Sequence, residues 1–380
     1  MTILGMGDYL KILHINSNYL YTTLFDKMVE KLNLLGIENT VFMPINGSIK
    51  FVIKPKEFVY SPVCFNKFDR YLYYIKQKKI YKSINKTLNL SSFHTIHAHT
   101  LFTDGHIAYK LKLEYGIPYV VAVRNTDVNT FFKYRIHLRN LGIKILKEAE
   151  NIIFLSESYK NLVLNEYIND DDREDILRKT KIIPNGIDEF WFRNKGVPKT
   201  VEQNSEIKLL YAGIINKNKN IISTTKAIDS LLKKGYNVRF TIVGRIGDEA
   251  VYQKVKDLPY VHYMGPRSKE ELLKIYNENH IFIMPSKTET FGLVYAEAIS
   301  QGLPIIYSKG QGFDKQFEEG LVGYHVDSNN TEDIANRILD VISNYHHISA
   351  NCIEQCEKFD WSVISNNYFD IYRDTMIKQD

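Results

Sequence analysis

The chain has 380 residues, of which 44% are hydrophobic and 24% charged, and a formal net charge of +5. This length suffices for two domains of ordinary size, and the composition is typical of a globular protein. No apolar stretch approaches the roughly 20 residues of a spanning helix. The first seven residues lack the charged start and apolar core of a signal peptide. We therefore expect a cytoplasmic protein.

The first half of the chain carries the basic excess, with a net charge of +8 over residues 1–198 against −3 over residues 199–380. Short apolar segments alternate there with helical patterns, which favours a parallel sheet. Strands are predicted at residues 10–15, 39–43, 95–99, 119–123 and 151–155.

Residues 65–90 combine aromatic and basic side chains, with seven basic residues and one acid. A helix of this composition fits an anionic membrane surface, with its rings at the interface. A helix whose tyrosines pack on its own domain fits equally well. A nucleic-acid patch would look similar locally, but the chain as a whole is not strongly basic. We therefore expect no nucleic-acid partner.

Two segments are candidates for a metal site, and we assign a metal to neither. Asn169–Asp172 contains an Asp-x-Asp spacing that could hold a divalent cation. It follows a helix rather than a strand, and we interpret it as a solvated loop before a charged helix that begins at Arg173. His97 and His99 form a His-x-His pair, but no third ligand is spaced for zinc.

The second half begins after a polar segment over residues 194–205, which is predicted to be a linker. A strand over 207–212 leads to Gly213, where the backbone can approach a ligand closely. Lys219 follows in the next loop and could neutralise a diphosphate. Another strand leads to Gly244 and Arg245.

A strand, a polar loop and a helix start follow one another over residues 281–298. The loop holds Glu289, and Glu297 lies about a turn into the helix. The N–H groups around 291–294 would face an anion at the helix N-terminus. Carboxylates beside a phosphate would repel it unless they accept hydrogen bonds from sugar and ribose hydroxyls. The pattern therefore predicts a nucleotide-sugar site.

This segment resembles the donor-site signature of the GT4 retaining glycosyltransferases, which have the GT-B fold. Two glutamates are separated by seven residues, Phe-Gly follows the first, and Glu-Ala precedes a Gly-x-Pro. The resemblance implies an α/β protein of two doubly wound Rossmann-like domains that face a central cleft. It implies an acceptor-side domain over 1–198, with the last helix, 360–380, packed back on it, and a donor domain over 199–359.

The resemblance also implies roles for individual residues. Catalytic roles are implied for His99, Lys219 and Glu289. Donor contacts are implied for Gly213, Gly244, Arg245, Arg267, Thr290, Phe291, Gly292, Leu293 and Glu297. Candidates on the acceptor side are Asn16, Arg124, Asp127 and Asn185.

The chain departs from the family pattern at three places. The loop after the first strand has no glycine. Many relatives carry a histidine, a glycine and a small residue before the aspartate at 127, so Arg124 departs from that pattern, and Ile214 stands where relatives carry an arginine. Charge on a leaving diphosphate would then rest on Lys219 and the helix N-terminus, with Lys217 or Arg245 as a substitute for the missing cation.

We therefore expect a hexosyltransferase that acts with retention and needs neither cofactor nor metal. It would move a hexose-type unit from a nucleotide sugar, with UDP preferred, to a glycan or lipid-linked glycan in bacterial capsule or lipopolysaccharide synthesis, at the inner face of the cell membrane. Two alternatives stay open. One is a non-catalytic partner subunit that binds a nucleotide sugar, and the other is an isomerase of the UDP-sugar 2-epimerase kind.

Overall fold

The structure is a computed structural model that describes residues 10–48, 56–202 and 204–377. In the first half the strands are β1 Lys11–Ile15, β2 Glu38–Phe42, β3 Ile45–Asn46, β4 Val59–Tyr60, β5 Val63–Phe65, β6 Thr95–Ala98, β7 Tyr119–Val123, β8 Asn151–Phe154 and β9 Thr180–Ile182. The α-helices are α1 Leu24–Leu34, α2 Tyr73–Thr87, α3 Asp104–Tyr115, α4 Arg139–Glu148, α5 Glu157–Glu166 and α6 Asp170–Arg178.

The second half contributes further strands and helices. The strands are β10 Ile207–Ala212, β11 Val238–Val243, β12 Val261–Gly265, β13 Ile281–Ile283, β14 Ile305–Ser308 and β15 Gly323–Val326. The α-helices are α7 Glu189–Arg193, α8 Ile221–Lys233, α9 Glu249–Gln253, α10 Lys269–Glu278, α11 Leu293–Ser300, α12 Thr331–Ser343, α13 Tyr345–Gln355 and α14 Trp361–Ile377. None of the helices in the described ranges has the length and apolarity needed to span a bilayer.

Two parallel sheets organise these elements. One has seven strands in the order β4-β2-β1-β6-β7-β8-β9, and the other has six in the order β12-β11-β10-β13-β14-β15. The second order is that of the doubly wound nucleotide-binding fold, in which ligands bind beyond the carboxyl ends of the strands. The strands at the centre of both sheets are almost fully buried because helices cover both faces. The predicted α/β architecture is therefore confirmed.

The chain divides into two compact units, and their boundary differs from the predicted one. The first unit holds the residues up to Leu155, then Lys160–Ile183, then those from Trp361 onward. The second holds Ser156–Tyr159 and Pro184–Asp360. Residues 184–198, predicted to belong to the first domain, therefore pack in the second unit.

Side-chain and backbone bonds explain this boundary. Trp191 in α7 is buried and packs against Tyr276 of α10, and its carbonyl accepts a hydrogen bond from Gln301. The predicted linker is also docked, since the Gly196 N–H bonds to the Ser300 carbonyl. The polar composition of this segment predicted a free linker. The prediction failed because the residues that bind the segment lie about a hundred positions further along the chain.

Helix α14 completes the core of the first unit. Its buried positions recur at helical spacing, and they pack with the apolar faces of β1 and α1. These residues are Trp361, Ile364, Tyr368, Ile371 and Tyr372.

The basic segment over 65–90 is not one helix, as predicted, but a 3₁₀ turn over Phe68–Arg70 followed by α2. Leu72 separates the two with φ −107° and ψ 76°, outside the helical region. The spacing of the buried residues in α2, namely Tyr73, Gln77, Ile80 and Ile84, fits one helix face against the unit.

The Asp cluster at 170–172 was wrongly predicted to be a loop. Helix α6 begins at Asp170, three residues before the predicted start, and the acids form its first turn. Negative charge there complements the helix dipole. Asp170 pairs with Arg173, and Asp172 pairs with Lys147 at 2.6 Å. Two of the three carboxylates are thus engaged in ion pairs.

Candidate functional site

The loop between β13 and α11 carries the predicted donor motif. Gly292 precedes the helix with φ +75°, and a Cβ there would lie 2.6 Å from the Tyr295 ring. Only glycine therefore fits this turn. The Phe291 side chain is buried against Phe313 and Phe359. This packing anchors the loop immediately before α11.

Lys219 and Glu289, two of the three predicted catalytic residues, form an ion pair. The Lys219 Nζ lies 2.5 Å from the Glu289 Oε2, and both side chains are mostly buried. The other carboxylate oxygen of Glu289 accepts a hydrogen bond from the Thr290 N–H at 3.1 Å. The fold thus brings together a cation from the β10–α8 loop and an anion from the β13–α11 loop, 70 residues apart.

Three polar residues that the sequence did not single out hold these loops. The Asn216 side chain accepts from the Lys219 N–H at 3.0 Å. Asn218 donates to the Thr288 carbonyl at 2.8 Å and accepts from the Thr288 N–H at 3.0 Å. The Gln311 side chain accepts from the Glu289 N–H at 2.9 Å.

The glycine-rich turn after β14 also packs on the donor loop. A Cβ on Gly312 would lie 1.6 Å from the Thr290 carbonyl oxygen, so no larger residue fits. The Gly312 N–H donates to the Glu289 carbonyl at 2.7 Å. These two loops lie more than 20 residues apart along the chain, so no local pattern indicates that they meet.

Glu297 occupies a half-buried position in α11. Burial raises its pKa to about 7, although the neighbouring Trp191, Lys269 and Tyr276 side chains favour the charged form. Its carboxylate therefore stands close to titration near neutral pH. Trp191 was not predicted to belong to the site, because a lone tryptophan in a short helix gives no functional signal.

The two predicted donor glycines that follow β10 and β11 touch each other. A Cβ on Gly244 would lie 1.9 Å from the Gly213 carbonyl oxygen, and Gly244 has φ +135°. This contact between neighbouring turns by itself requires a glycine at 244. Ile214, which replaces the family's arginine, lies against Gly247, where a Cβ would be 2.5 Å from its side chain.

Two predicted donor-binding arginines lie on the surface of the second unit. Arg245 is exposed and forms no ion pair within the described ranges. Arg267 precedes α10, is exposed and lies 3.4 Å from Glu271 in the first turn of that helix. That turn carries a capping box, in which Ser268 and Glu271 satisfy each other's backbone N–H groups. Arg267 is therefore an ordinary surface ion-pair partner in this structure.

In the first unit, His99 is not an exposed side chain but part of a buried histidine cluster. His14, His97 and His99 are at most 1% exposed, and the His97 and His99 rings stack at 3.9 Å. The His14 Nδ1 lies 3.0 Å from the His99 Nε2. Burial and the nearby histidines and Arg124 hold the pKa of His99 well below its usual value. His14 was missed because it lies some 85 residues from His99.

The predicted acceptor-side residues of this unit have structural partners. Asp127 is buried and accepts hydrogen bonds from the N–H groups of Leu101, Phe102 and Arg124 at 2.9–3.0 Å. These bonds tie the loop after β6 to the segment after β7. The Arg124 Nε lies 3.4 Å from the His99 carbonyl oxygen.

The remaining acceptor-side candidates are Asn16 and Asn185. Asn16 is fully buried, and its side chain accepts from the Asn18 N–H at 2.9 Å, which closes the turn after β1. Asn185 is half-buried and belongs to the second unit, with the donor residues, rather than to the acceptor-side unit to which we assigned it.

Two family models match the chain, and together they span most of it. Residues 23–189 match Glycosyltransferase Family 4, and residues 193–359 match Glycosyl transferases group 1. An uncharacterised glycosyltransferase of Methanocaldococcus jannaschii is 24% identical over 304 residues, covering 78% of each chain. An uncharacterised protein of the cps region of Klebsiella pneumoniae is 27% identical over 311 residues, covering 76% of this chain and 81% of its own.

Solved structures share the fold at low sequence identity. Sucrose-phosphate synthase from Thermosynechococcus elongatus has a TM-score of 0.74 at 16% identity, covering 97% of this chain and all of its own. The lipopolysaccharide outer core galactosyltransferase WaaB has a TM-score of 0.74 at 16% identity, covering 96% and 99%. HepE of Anabaena with UDP and glucose has a TM-score of 0.67 at 15% identity, covering 96% and 100%. The chain thus belongs to the GT4-type, group 1 glycosyltransferases of the GT-B fold.

Proposed function

We propose that this glycosyltransferase moves a hexose-type sugar from a UDP-sugar to a glycan or lipid-linked glycan, with retention at the anomeric carbon, in bacterial surface polysaccharide synthesis. The observation that carries the proposal is the Lys219–Glu289 pair at 2.5 Å beside the start of α11. A mostly buried cation next to helix N–H groups suits a diphosphate, and the carboxylate suits sugar hydroxyls.

Donor binding would replace this ion pair. The Lys219 ammonium would turn to the diphosphate, together with the first N–H groups of α11, and Glu289 would accept a hydrogen bond from the transferred sugar. A buried charge without a partner is costly. When no donor is bound, Lys219 and Glu289 therefore neutralise each other and stay in position. Asn218 and Gln311 keep the two loops in place during this exchange.

The reaction would be driven by electrostatic stabilisation of the leaving group. The bond between the anomeric carbon and the diphosphate oxygen breaks, and the bond to the acceptor oxygen forms on the same face of the sugar. The acceptor hydroxyl gives its proton to the departing diphosphate oxygen. No second carboxylate of the glycosidase kind is required.

The choice of UDP and of a surface glycan rests on relatives. HepE is described with UDP and glucose, and WaaB is a lipopolysaccharide galactosyltransferase. A relative from Staphylococcus aureus is a capsular polysaccharide biosynthesis glycosyltransferase. These proteins support the same donor base and the same class of acceptor for this chain.

The test is calorimetric titration of the purified protein with UDP, GDP and ADP in the presence of EDTA. We expect selective binding of UDP without a metal. Binding only after Mg²⁺ or Mn²⁺ is added would contradict the metal-free site, and preference for GDP or ADP would contradict the assigned base.

The same preparation separates the transferase from its two alternatives. Incubation of the protein with the UDP-sugar alone, followed by NMR, would reveal an epimerised sugar if the protein were an isomerase. UDP-sugar binding without turnover in the presence of capsular and lipid-linked acceptors would favour a non-catalytic subunit. Release of UDP together with an α- or β-glycoside of the donor's own anomeric configuration is the expected result.

We further propose that the segment from β5 to the start of α2 docks on an anionic membrane, where a lipid-linked acceptor would be found. Six of its apolar or aromatic side chains are 48–82% exposed, a large amount for adjacent positions. They are Val63, Phe68, Tyr71, Leu72, Tyr74 and Ile75. Lysines follow them in α2, which suits rings at the interface beside anionic headgroups.

Vesicle sedimentation tests this docking. We expect the protein to sediment with vesicles that contain phosphatidylglycerol and to stay in solution with phosphatidylcholine alone. Tyr71→Ser with Tyr74→Ser should abolish sedimentation, whereas the control Tyr134→Ser, an exposed tyrosine elsewhere in the unit, should not. Equal sedimentation of all variants would contradict the proposal.

A further inference from the structure

His325 of β15 lies between two carboxylates of the second unit. Its Nδ1 is 3.0 Å from the Asp314 Oδ1 and 3.0 Å from the Glu319 Oε2. An ionised carboxylate can only accept hydrogen bonds, so the His325 Nδ1 carries a proton that the two carboxylates share. The other Glu319 oxygen accepts from the His325 backbone N–H at 3.2 Å. Glu319 thus binds both the ring and the backbone of one residue, which fixes the orientation of the ring.

Asp314 connects this histidine to the turn after β14. Its side chain is only 6% exposed, and its second carboxylate oxygen accepts from the Gly310 N–H at 2.7 Å. The Asp314 N–H donates to the Gln311 carbonyl at 2.9 Å. Exposed ion pairs contribute little to stability, but a buried carboxylate that loses a donor is left with an unsatisfied charge. The bond from His325 is therefore expected to affect the shape of the turn.

The same turn holds the backbone of Glu289 on both sides. The Gln311 side chain accepts from the Glu289 N–H, and the Gly312 N–H donates to the Glu289 carbonyl. Both residues lie between Gly310 and Asp314, the two positions that the Asp314 carboxylate joins. The position of Glu289 thus depends on the shape of the turn, and the shape of the turn depends on Asp314.

The two carboxylates differ in how much they depend on His325. Burial raises the pKa of Glu319, and the nearby charges of His325 and Arg337 oppose this shift by favouring the ionised form. Asp314 lacks a second cation of this kind, because within the described ranges His325 is the only basic side chain at ion-pair distance from it. Loss of His325 would therefore affect Asp314 more than Glu319.

We propose that His325 is a positioning residue for the donor site: through Asp314 it fixes the turn at 310–312, and this turn fixes the backbone of Glu289. The inference rests on the proposed function, in which the Glu289 carboxylate accepts a hydrogen bond from the transferred sugar. The diphosphate is proposed to be held by Lys219 and the N–H groups of α11 instead. His325 should therefore matter for binding of a nucleotide sugar much more than for binding of the nucleotide alone, which general stabilisation of the unit would not produce.

Calorimetric titration of the full chain with UDP and with a UDP-sugar measures this difference. The UDP-sugar probe is whichever of UDP-glucose and UDP-galactose the wild type binds more tightly. In His325→Leu we expect affinity for that probe to fall about tenfold, because Glu289 is no longer held beside the sugar. Affinity for UDP should stay within about twofold of the wild type. An equal loss for both ligands, or no loss for either, would overturn the proposal.

His325→Asn is the conservative variant that should restore binding. Its amide nitrogen takes the position of the imidazole Nδ1 and has two N–H donors, one for each carboxylate. We expect the ratio of UDP-sugar affinity to UDP affinity to return to within about threefold of the wild type. A ratio as low as in His325→Leu would show that the ring acts by packing, and would overturn the proposal. The matched control is His262→Leu, which removes an exposed histidine from β12 of the same sheet and should change neither affinity.

Amide hydrogen exchange tests the turn without any nucleotide. In His325→Leu we expect exchange about tenfold faster in peptides that contain Glu289 and residues 310–314, with wild-type exchange in the peptide of β11. His325→Asn should restore slow exchange. If exchange behaves in this way but the wild type binds no UDP-sugar, the proposed function fails and the role of His325 in the turn stands. Unchanged exchange in His325→Leu would show that other contacts, such as the packing of Phe313 on Phe291 and Tyr295, hold the turn, and would overturn the proposal.

Discussion

The state of the candidate donor residues in the second unit depends on the side chains and backbone groups that each one contacts. Lys219 and Glu289 were each assigned a role from the family pattern, yet the structure adds that they neutralise each other. Phe291 and Gly292 support the loop through packing and backbone conformation rather than through polar atoms. A residue's presence in a motif is thus a guide to its position, and its contacts determine what it does there.

The cation at 219 is predicted to be essential because Ile214 offers no second positive charge at the family's arginine position. Lys219→Ala and Glu289→Ala should each lower kcat by at least about tenfold. The matched control is Lys226→Ala, which removes an exposed lysine from α8 and should have the activity of the wild type. Steady-state release of UDP measures all three. Rates like the wild type in both active-site variants would contradict the assigned roles.

Nucleotide affinity is predicted to depend on pH through Glu297. Burial raises its pKa to about 7. We propose that Glu297 is the carboxylate that accepts a hydrogen bond from the ribose of the nucleotide, and this contact uses the charged form. Affinity for UDP should therefore fall about tenfold from ~pH 8 to ~pH 6. The Glu297→Gln variant should bind UDP weakly at every pH. Titration of the nucleotide affects the wild type and the variant equally, so the ratio of their affinities reports the carboxylate of Glu297 alone. A ratio that stays constant across this range would contradict the prediction.

The raised pKa of Glu297 also makes the folded state more stable at low pH than at high pH. The pKa of Glu297 in the folded protein lies above its ordinary value of 4.5, so the folded state binds the proton more tightly than the unfolded chain. This group therefore favours folding at low pH, and that contribution is lost as the pH rises from about 4.5 to about 7. Burial also raises the pKa of Asp104 to about 7 and of Asp127 to about 6, so these groups act in the same direction.

Loops and helix starts, rather than single side chains, set the geometry of the donor motif. The β10–α8 loop, the β13–α11 loop and the turn after β14 come from three places in the chain, and the parallel sheet brings their ends to one edge. Asn218 and Gln311 then join them by side-chain to backbone bonds. We call Asn218 and Gln311, with the bonds they form between these loops, the clamp. The pattern of strands and helices predicted the loops but not these bonds.

The Asn218 clamp gives a prediction that separates function from folding. Asn218→Ala should lower kcat/KM for the donor by about tenfold, because Lys219 and Glu289 lose their fixed separation. The melting temperature should barely change, since Asn218 is exposed. Asn194→Ala removes another exposed asparagine with one bond to a carbonyl and is the control. Unchanged kcat/KM in Asn218→Ala would show that the loops hold their positions without it.

The whole chain combines two compact units of similar architecture, and each has a core of its own. The last helix belongs to the first unit although it follows the second in sequence, and its aromatic residues cover the histidine cluster. The stability of the first unit therefore depends on α14. The candidate donor residues lie in the second unit, which has its own core.

Tyr372→Ala tests this division of the chain. The fully buried side chain packs in the first unit's core, so its removal should destabilise that unit by about 3 kcal/mol or more. Affinity for UDP, which the second unit is proposed to bind, should remain within about twofold of the wild type. Calorimetric melting and nucleotide titration measure the two effects. The control Arg373→Ala removes exposed ion pairs and a contact with the Phe369 ring at 6.0 Å, and it should leave both nearly unchanged.

The sequence by itself determined the fold class, the family and the positions of most strands and helices. Buried parallel strands produce continuous apolar runs, and the donor motif is contiguous, so β7 and β10 were predicted with their observed bounds. The capping box at Ser268 is a local feature as well, since Ser268 and Glu271 are three positions apart. These features depend on neighbours within a few residues, which is the range over which a single sequence is informative.

Only the tertiary structure decided which distant polar groups meet. The Lys219–Glu289 pair, the Trp191 contact with Glu297 and the His14–His99 bond join residues 70 to 106 positions apart, and no local pattern encodes them. The unit boundary moved for the same reason, since residues 184–198 have a polar composition but find their partners around α10 and α11. Burial then set the protonation of Glu297 and of the histidines, because the cost of a buried charge depends on everything packed around it.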